Sequence, residues 1–242
     1  TVCARGARTR EHLDSLGRIN SIDVADLAFS LDEAVAFPDA VATALESIDK
    51  NFIVVMPSAV VRGIYESSGG NYVSAMASLV ADIRHKTGCS VVIAPHSYRA
   101  GLPEGRMNDG PVCREVAEAC SGDSQVLGLD FDLTAGELRH LVAHSSVLVT
   151  SRFHAMISGL ATSTPTVVVG WSHKYKEVLD DFGLSALGLD SSALREPSAI
   201  ADIVTNVLAS KDEMSQQISA ALPAVKIRSL RNFSAIAEAA AR

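Results

Sequence analysis

The chain has 242 residues, 48% hydrophobic and 20% charged, and a net charge of -7. That is the composition of a water-soluble globular protein, long enough for one full core and part of a second. The acidic balance argues against nucleic acid as the main partner, because a phosphate backbone selects a basic surface; no apolar run approaches the ~18 residues of a membrane-spanning helix.

Val2-Cys3-Ala4, with Thr1 before it, reads as a strand, Arg5-Gly6 as a turn, and Ala7 to Leu16 as a helix ending at Gly17. An opening inside a strand, without methionine, leads us to expect further sequence upstream. Ser21 to Val24 is a short strand, and Leu31 to Asp49 an alanine-rich mixed connection. From Asn51 the pattern changes. Phe52-Ile53-Val54-Val55-Met56 is a buried strand closed by Pro57-Ser58. Asn71 to Thr87 has helical periodicity and stops at Gly88. Ser90 to Ala94 is the next strand, and Ala100 to Gly110 a polar loop. Pro111 to Cys120 is a helix with proline in its first turn. Gln125 to Leu129 is a strand, and Leu133 to His144 a helix capped by Asp132 or Thr134. Strand 146–149, helix 151–162, strand 166–169 and helix 173–182 follow. Ser185 to Leu189 reads as a weak strand. Helical text runs from Pro197 to Leu208 and from Lys211 to the end, with Pro223 as a break.

Strands alternating with helices of ten or more residues predict βαβ units, and hence an α/β fold: a Rossmann-like, mostly parallel sheet with helices on both faces. The expected boundary lies near residue 49. Residues 1–48 would be the remnant of an N-terminal α/β domain. Residues 49–242 would be a C-terminal Rossmann-like domain whose last helices pack back toward the first. Cys3, Cys89, Cys113 and Cys120 lack CxxC spacing and read as reduced, partly buried thiols rather than a disulfide framework. No signal peptide is evident, and a cytoplasmic location, with peripheral contact at the inner membrane face, is the expectation.

Two strand-to-helix junctions carry the densest chemistry. At the first, Val147-Leu148-Val149 runs into Thr150-Ser151-Arg152-Phe153-His154-Ala155. With Thr150 or Ser151 as N-cap, His154 falls in the first helical turn, where unpaired amides and the positive helix end gather anions. Histidine is also the side chain best suited to proton exchange near neutral pH. At the second, Trp171-Ser172-His173-Lys174 follows the next strand, and lysine binds phosphate as a point charge. Consecutive strand ends of this kind border the ligand crevice of an open α/β sheet. His96, Tyr98 and Arg99, with the loop carrying Arg106, Asn108 and Asp109, follow another strand end and are placed for the same cleft. The plainer alternatives are structural: His154 packed against a neighbouring strand, Arg152 and Lys174 as solvated cations, residues 96–109 as a surface loop. His12, His85, His140 and His144 read as structural or exposed. HExxH, GxSxG and P-loop motifs are absent, and Ser67 to Asn71 is too loose for a dinucleotide fingerprint.

Ser151-Arg152-Phe153-His154-Ala155 after a strand resembles the S-R-x-H-A signature of the polysaccharide pyruvyl transferase family. Val167 to Lys174, then Glu177-Val178-Leu179 and Phe182-Gly183-Leu184, looks like that family's following strand, lysine and helix. Ala4-Arg5-Gly6-Ala7-Arg8-Thr9 with Leu13 and Gly17, then Asp26-Leu27-Ala28-Phe29, is similar to its V-R-G-x-x-T…L…G and D-x-A-F stretches, and Asn108-Asp109 is also familiar. The resemblance spans nearly the whole chain; the family's upstream α/β half, with its glycine-rich loop, is not in this sequence. It implies a GT-B-like architecture of two Rossmann-like halves with the N-terminal domain largely missing, phosphoenolpyruvate as donor substrate, and a sugar hydroxyl pair as acceptor. It places Arg5, His154 and Lys174 at the catalytic cleft. Around them we expect Arg152, Ser151, His96, Arg99, Asn108, Asp109 and His173 as substrate-binding residues.

Forming a ketal from an enol phosphate requires a proton at the methylene carbon and cations for phosphate and carboxylate. His154 fits the first need; Lys174, Arg152 and Arg5 fit the second. Asp26 and Asp109 are candidates to share the acid–base work. The scheme calls for no metal and no cofactor. Expected partners are phosphoenolpyruvate and a glycan or lipid-linked sugar, without nucleic acid or a transmembrane segment; self-association into a homo-oligomer stays open. The alternatives are a GT-B nucleotide-sugar glycosyltransferase, for which Glu177 sits near the place of a ribose-binding acid, and an inactive binding or scaffold domain.

Overall fold

The computed structural model describes residues 2–17, 20–31, 35–103, 105–170 and 172–241. Thr1 of the first expected strand, residues 32–34 of the mixed connection, Trp171 of the second junction and Arg242 at the chain end lie outside the described residues.

In chain order the elements are β1 (Val2–Ala4), α1 (Ala7–Ser15), β2 (Ser21–Asp23), a 3-10 turn (Leu27–Ser30), α2 (Asp39–Leu45), β3 (Phe52–Met56), α3 (Ala59–Ser67), α4 (Tyr72–Thr87), β4 (Ser90–Ile93), α5 (Gly110–Ala119), β5 (Val126–Gly128), α6 (Ala135–His144), β6 (Val147–Thr150), α7 (Phe153–Ala161), β7 (Thr166–Gly170), α8 (Lys174–Asp180), β8 (Gly188–Asp190), α9 (Pro197–Ala209) and α10 (Lys211–Ala240). β1 and β2 pair in parallel as a small separate sheet. The other six strands form one sheet in the order β5-β4-β3-β6-β7-β8, every pairing parallel.

The strands are apolar on both faces because helices cover both. Ile53, Val55, Val91, Ile93, Val147, Val149, Val167 and Val169 face α4, α5 and α9. Val54, Met56, Val92 and Leu148 face α6 and the start of α7. Val168 faces a third cluster built from α7, α8 and α10. The strand order reverses direction between β3 and β6. The chain winds outward through β4 and β5, then returns to β6 and winds the other way. Strand ends therefore diverge at the β3/β6 boundary, where such sheets leave a crevice.

The segment before the large sheet is clamped onto it. Ser229 Oγ of α10 donates to Asp26 O at 2.8 Å, Asn232 Nδ2 to Ala25 O at 2.9 Å, and Arg139 Nη2 of α6 to Ala28 O at 2.7 Å. Asp26 Oδ1 accepts from Ala28 N at 3.0 Å, capping the 3-10 turn and fixing its own carboxylate.

Several expectations change. Helix α3 is unanticipated, because Arg62-Gly63 interrupts its apolar text; Val61 and Tyr65 nonetheless give it a buried face. Pro223 does not break the last helix, which runs unbroken from Lys211 to Ala240. Ile218 and Val225 on either side of the proline are buried in one core cluster, and that packing holds both halves together despite the lost amide. Ser185 to Leu187 is a 3-10 turn, so the expected strand there starts only at Gly188. Thr134, not Asp132, caps α6 and forms a reciprocal capping box with Glu137.

Gly159 allows α7 to lie against the sheet: a Cβ there would meet Thr166 Oγ1 at 2.1 Å and Leu148 Cδ2 at 3.1 Å. Gly159→Ala should lower unfolding free energy by about 1–3 kcal/mol through overpacking, read from the shift of the urea midpoint at constant slope.

Candidate active site

The ends of β3, β4, β6 and β7 open into a cavity of about 510 Å³ that straddles the β3/β6 reversal. Its wall includes Arg5, Ser58, His96, Arg99, Ser151, Arg152, Phe153, His154 and Lys174. Residues from α1's approach, α3, the β4 loop, α7 and α8 thus meet at one edge of the sheet.

Phe153 organises one end. Its ring is nearly buried and meets Tyr175 edge-on at 5.7 Å between centroids. The Arg5 guanidinium and the Lys174 ammonium each lie 4.7 Å from its centroid. A ring face attracts cations, so the aromatic residue between Arg152 and His154 gathers two positive charges from distant parts of the chain. Arg5 also forms an ion pair with Asp26, which is 7% exposed. His154 Nε2 stands 3.8 Å from Asp26 Oδ1, with its side chain 59% exposed to the cavity. Partial burial, together with the Arg5 charge and against the pull of Asp26, lowers the Lys174 ammonium below the ordinary lysine range. The arrangement offers two cations, a carboxylate and an accessible imidazole.

The N-cap of α7 is Arg152, without side-chain capping, so neither Thr150 nor Ser151 fills that place; His154 still lies in the first turn. Arg152 lines the cavity with its guanidinium anchored on a buried carboxylate. Its Nε and Nη2 bond the two carboxylate oxygens of Asp109 at 2.7 and 2.5 Å, and Nη2 reaches Arg106 O at 2.8 Å. Asp109 is fully buried and further accepts from Ala59 N at 2.8 Å and Ser97 N at 3.3 Å. It is a strut beneath the cavity, not a binding or acid–base group on its surface. Asn108 is likewise corrected: it is buried, with Oδ1 taking the Arg99 amide at 3.0 Å and Nδ2 donating to the carbonyls of Leu102 and Pro103 at 2.8 and 3.1 Å, so it folds the loop. Ser151 lies in the wall, and its carbonyl accepts from Tyr175 Oη at 3.2 Å. Arg99 is exposed at the mouth. His173 faces a different groove, with Arg8, Lys176 and Asp190. Sequence reasoning underrated Asp26, whose role depends on a turn held by α6 and α10, and did not single out Ser58 or Phe153.

His96 is the second imidazole of the wall. Burial, with His154 and Arg152 nearby, pushes it down to about 4. It is therefore neutral in the folded protein at neutral pH. Between pH 4 and 6.5 the unfolded chain takes up a proton that the folded one refuses, so this term destabilises the fold as pH falls through that window.

The polysaccharide pyruvyl transferase family model matches residues 1–173. The chain belongs to this family. The amylovoran biosynthesis protein AmsJ of Erwinia amylovora is 31% identical over 91 residues, 38% of this chain and 22% of that protein. Among solved structures, a UDP-N-acetylglucosamine 2-epimerase from Listeria monocytogenes matches with TM-score 0.61 at 13% identity, over 96% of this chain and 57% of that one. Trehalose-6-phosphate synthase OtsA matches with TM-score 0.57 at 12% identity, over 96% and 58%. These likenesses show a GT-B-like fold. The chain spans less than two thirds of each of these relatives.

Two outcomes check the site's physics. Asp109→Ala should cost about 3–5 kcal/mol by leaving Arg152 without its partner, measured by urea unfolding. His96→Asn should flatten the loss of stability between pH 6.5 and pH 4 relative to wild type, measured by thermal unfolding across that range.

Proposed function

We propose that the protein transfers pyruvate from phosphoenolpyruvate to two hydroxyls of one sugar in a polysaccharide or glycolipid precursor, forming a ketal and releasing phosphate. The observation that carries this reading is the convergence of Arg5, Lys174, His154 and Asp26 around Phe153 at the cavity end. The donor bears a phosphate and a carboxylate beside an enol carbon, and the cluster supplies cations together with a group that can move a proton.

In the reaction, the donor's double-bond electrons take a proton at the methylene carbon, which becomes the methyl group. Positive charge develops on the carbon bearing oxygen. A sugar hydroxyl attacks that carbon and gives up its proton. Phosphate departs with the electrons of its C–O bond. The second hydroxyl then closes the ring on the same carbon and loses its own proton. His154 is the proton-transfer group, and Asp26 compensates the positive charge that gathers around it. Arg5 and Lys174 hold the donor's anionic groups against the developing positive charge. A Lys174 ammonium made more acidic by burial and the Arg5 charge is a stronger hydrogen-bond donor to an oxyanion.

A nucleotide-sugar reading fits less well. The carboxylate it would use near α8, Glu177, accepts the amide of Arg8 at 3.2 Å and lies against Gly6.

Phosphoenolpyruvate should raise the melting temperature where sugar nucleotides do not; the reverse pattern overturns the proposal. Phosphate release from phosphoenolpyruvate should require a glycan acceptor, and His154→Ala should slow it by roughly 10²–10⁴-fold without lowering the melting temperature, since the side chain is exposed.

A further inference from the structure

Ser58 occupies the N-cap of α3, a position where serine ordinarily accepts a bond from the helix's first turn. Here it does not cap. Its hydroxyl is buried and has no hydrogen-bond partner among the described residues, while Ser58 forms part of the cavity wall. A buried unpartnered hydroxyl costs about 1–3 kcal/mol, so its retention calls for an explanation.

Its surroundings supply one. Ala59 N, the first amide of α3, is taken by Asp109 Oδ1 at 2.8 Å, and Arg62 N is taken by Ser58 O at 2.9 Å. The amides of Val60 and Val61 are the remaining first-turn donors, which by helix geometry lack intrahelical acceptors; Val60 also lines the cavity. Ser58 N is satisfied by Tyr72 Oη at 3.1 Å, which fixes the turn. The nearby carboxylate is compensated, since Asp109 is held by both Arg152 nitrogens. Tyr72 is pushed above the ordinary tyrosine range by burial and stays neutral, and His96 is neutral as well. The junction also sits on the β3 side of the strand-order reversal, facing Ser151 on the β6 side.

We propose that the β3–α3 junction is a second anion subsite of this cavity, taking a phosphoryl group on the Ser58 hydroxyl and the first-turn amides of α3. It is separate from the Arg5–Lys174 end. The chemistry is that of phosphate at a helix N-terminus completed by a hydroxyl donor. Assigning that phosphoryl group to phosphoenolpyruvate rests on the transfer reaction proposed above; a phosphate carried by the acceptor has the same chemistry.

The test is calorimetric titration of inorganic phosphate into the wild-type chain, Ser58→Ala and Lys174→Ala, with the melting temperature of each measured without ligand. Ser58→Ala should weaken phosphate binding by about tenfold or more, the scale of a lost bond to a charged group. Its ligand-free melting temperature should hold or rise, because a methyl replaces an unsatisfied hydroxyl. The subsite is overturned if wild type does not bind phosphate, if Ser58→Ala binds it like wild type, or if Ser58→Ala alone lowers the ligand-free melting temperature. Phosphoenolpyruvate displacing phosphate, with its own affinity reduced in Ser58→Ala, assigns the subsite to the donor; binding of both together assigns it to the acceptor. Phosphate binding that depends on Ser58, without turnover of phosphoenolpyruvate, sinks the transfer reaction and leaves the subsite. Turnover that is indifferent to Ser58 does the opposite.

Discussion

The cavity rests on the buried pair between Arg152 and Asp109. Asp109 is fully buried and collects donors from three strand ends: Ala59 N after β3, Ser97 N after β4 and the Arg152 guanidinium after β6. An ionised carboxylate is tolerated at that depth only when its oxygens are satisfied and its charge is compensated. Meeting that requirement brings three loops to fixed positions, with Arg152 held in the cavity wall through Nε and Nη2. The pair sets the distance between the start of α3 and the start of α7, and so the width of the crevice between them.

Above this strut the cavity has two differently built ends. At one, Phe153 draws Arg5 and Lys174 to the same ring, and Asp26 stands between Arg5 and His154. Charges are concentrated there and partly compensated. At the other, Ser58, the α3 amides and His96 offer neutral donors in a more buried setting. A polar substrate with two unlike anionic groups next to a reacting carbon suits such a division. Electrostatic stabilisation in a site of this kind comes from groups already oriented before the substrate arrives, and here the orientation is enforced by α6, α7 and α10 packing around the Asp26 turn.

The alternation of apolar runs with helical periodicity was legible along the chain, because parallel strands covered on both faces must be apolar throughout. The junction at 150–155 and the arginine and lysine that join it were legible through their residue types and the family signature they resemble. The role of Asn108 and Asp109 was not. A polar dipeptide before a helix looks the same whether it faces solvent, a ligand or the underside of a loop, and only burial distinguishes these. Helix α3 was hidden by Arg62-Gly63, and the continuity of α10 by Pro223; in both cases tertiary packing outweighs local propensity.

By itself, the sequence determined the α/β class, the placing of His154 in a helical first turn after a strand, and the cations available to it. Hydrophobic period and turn chemistry are local properties, written within a few residues of where they act. Only the tertiary structure decided which of those groups meet. Asp26 comes beside His154 through a turn held by α6 and α10, His173 turns to a different groove, and Arg152 is anchored on Asp109. Ser58 is left with a hydroxyl that has no partner among the described residues, at a cavity wall. Those outcomes depend on burial and on contacts between residues far apart in the chain, which no local pattern encodes.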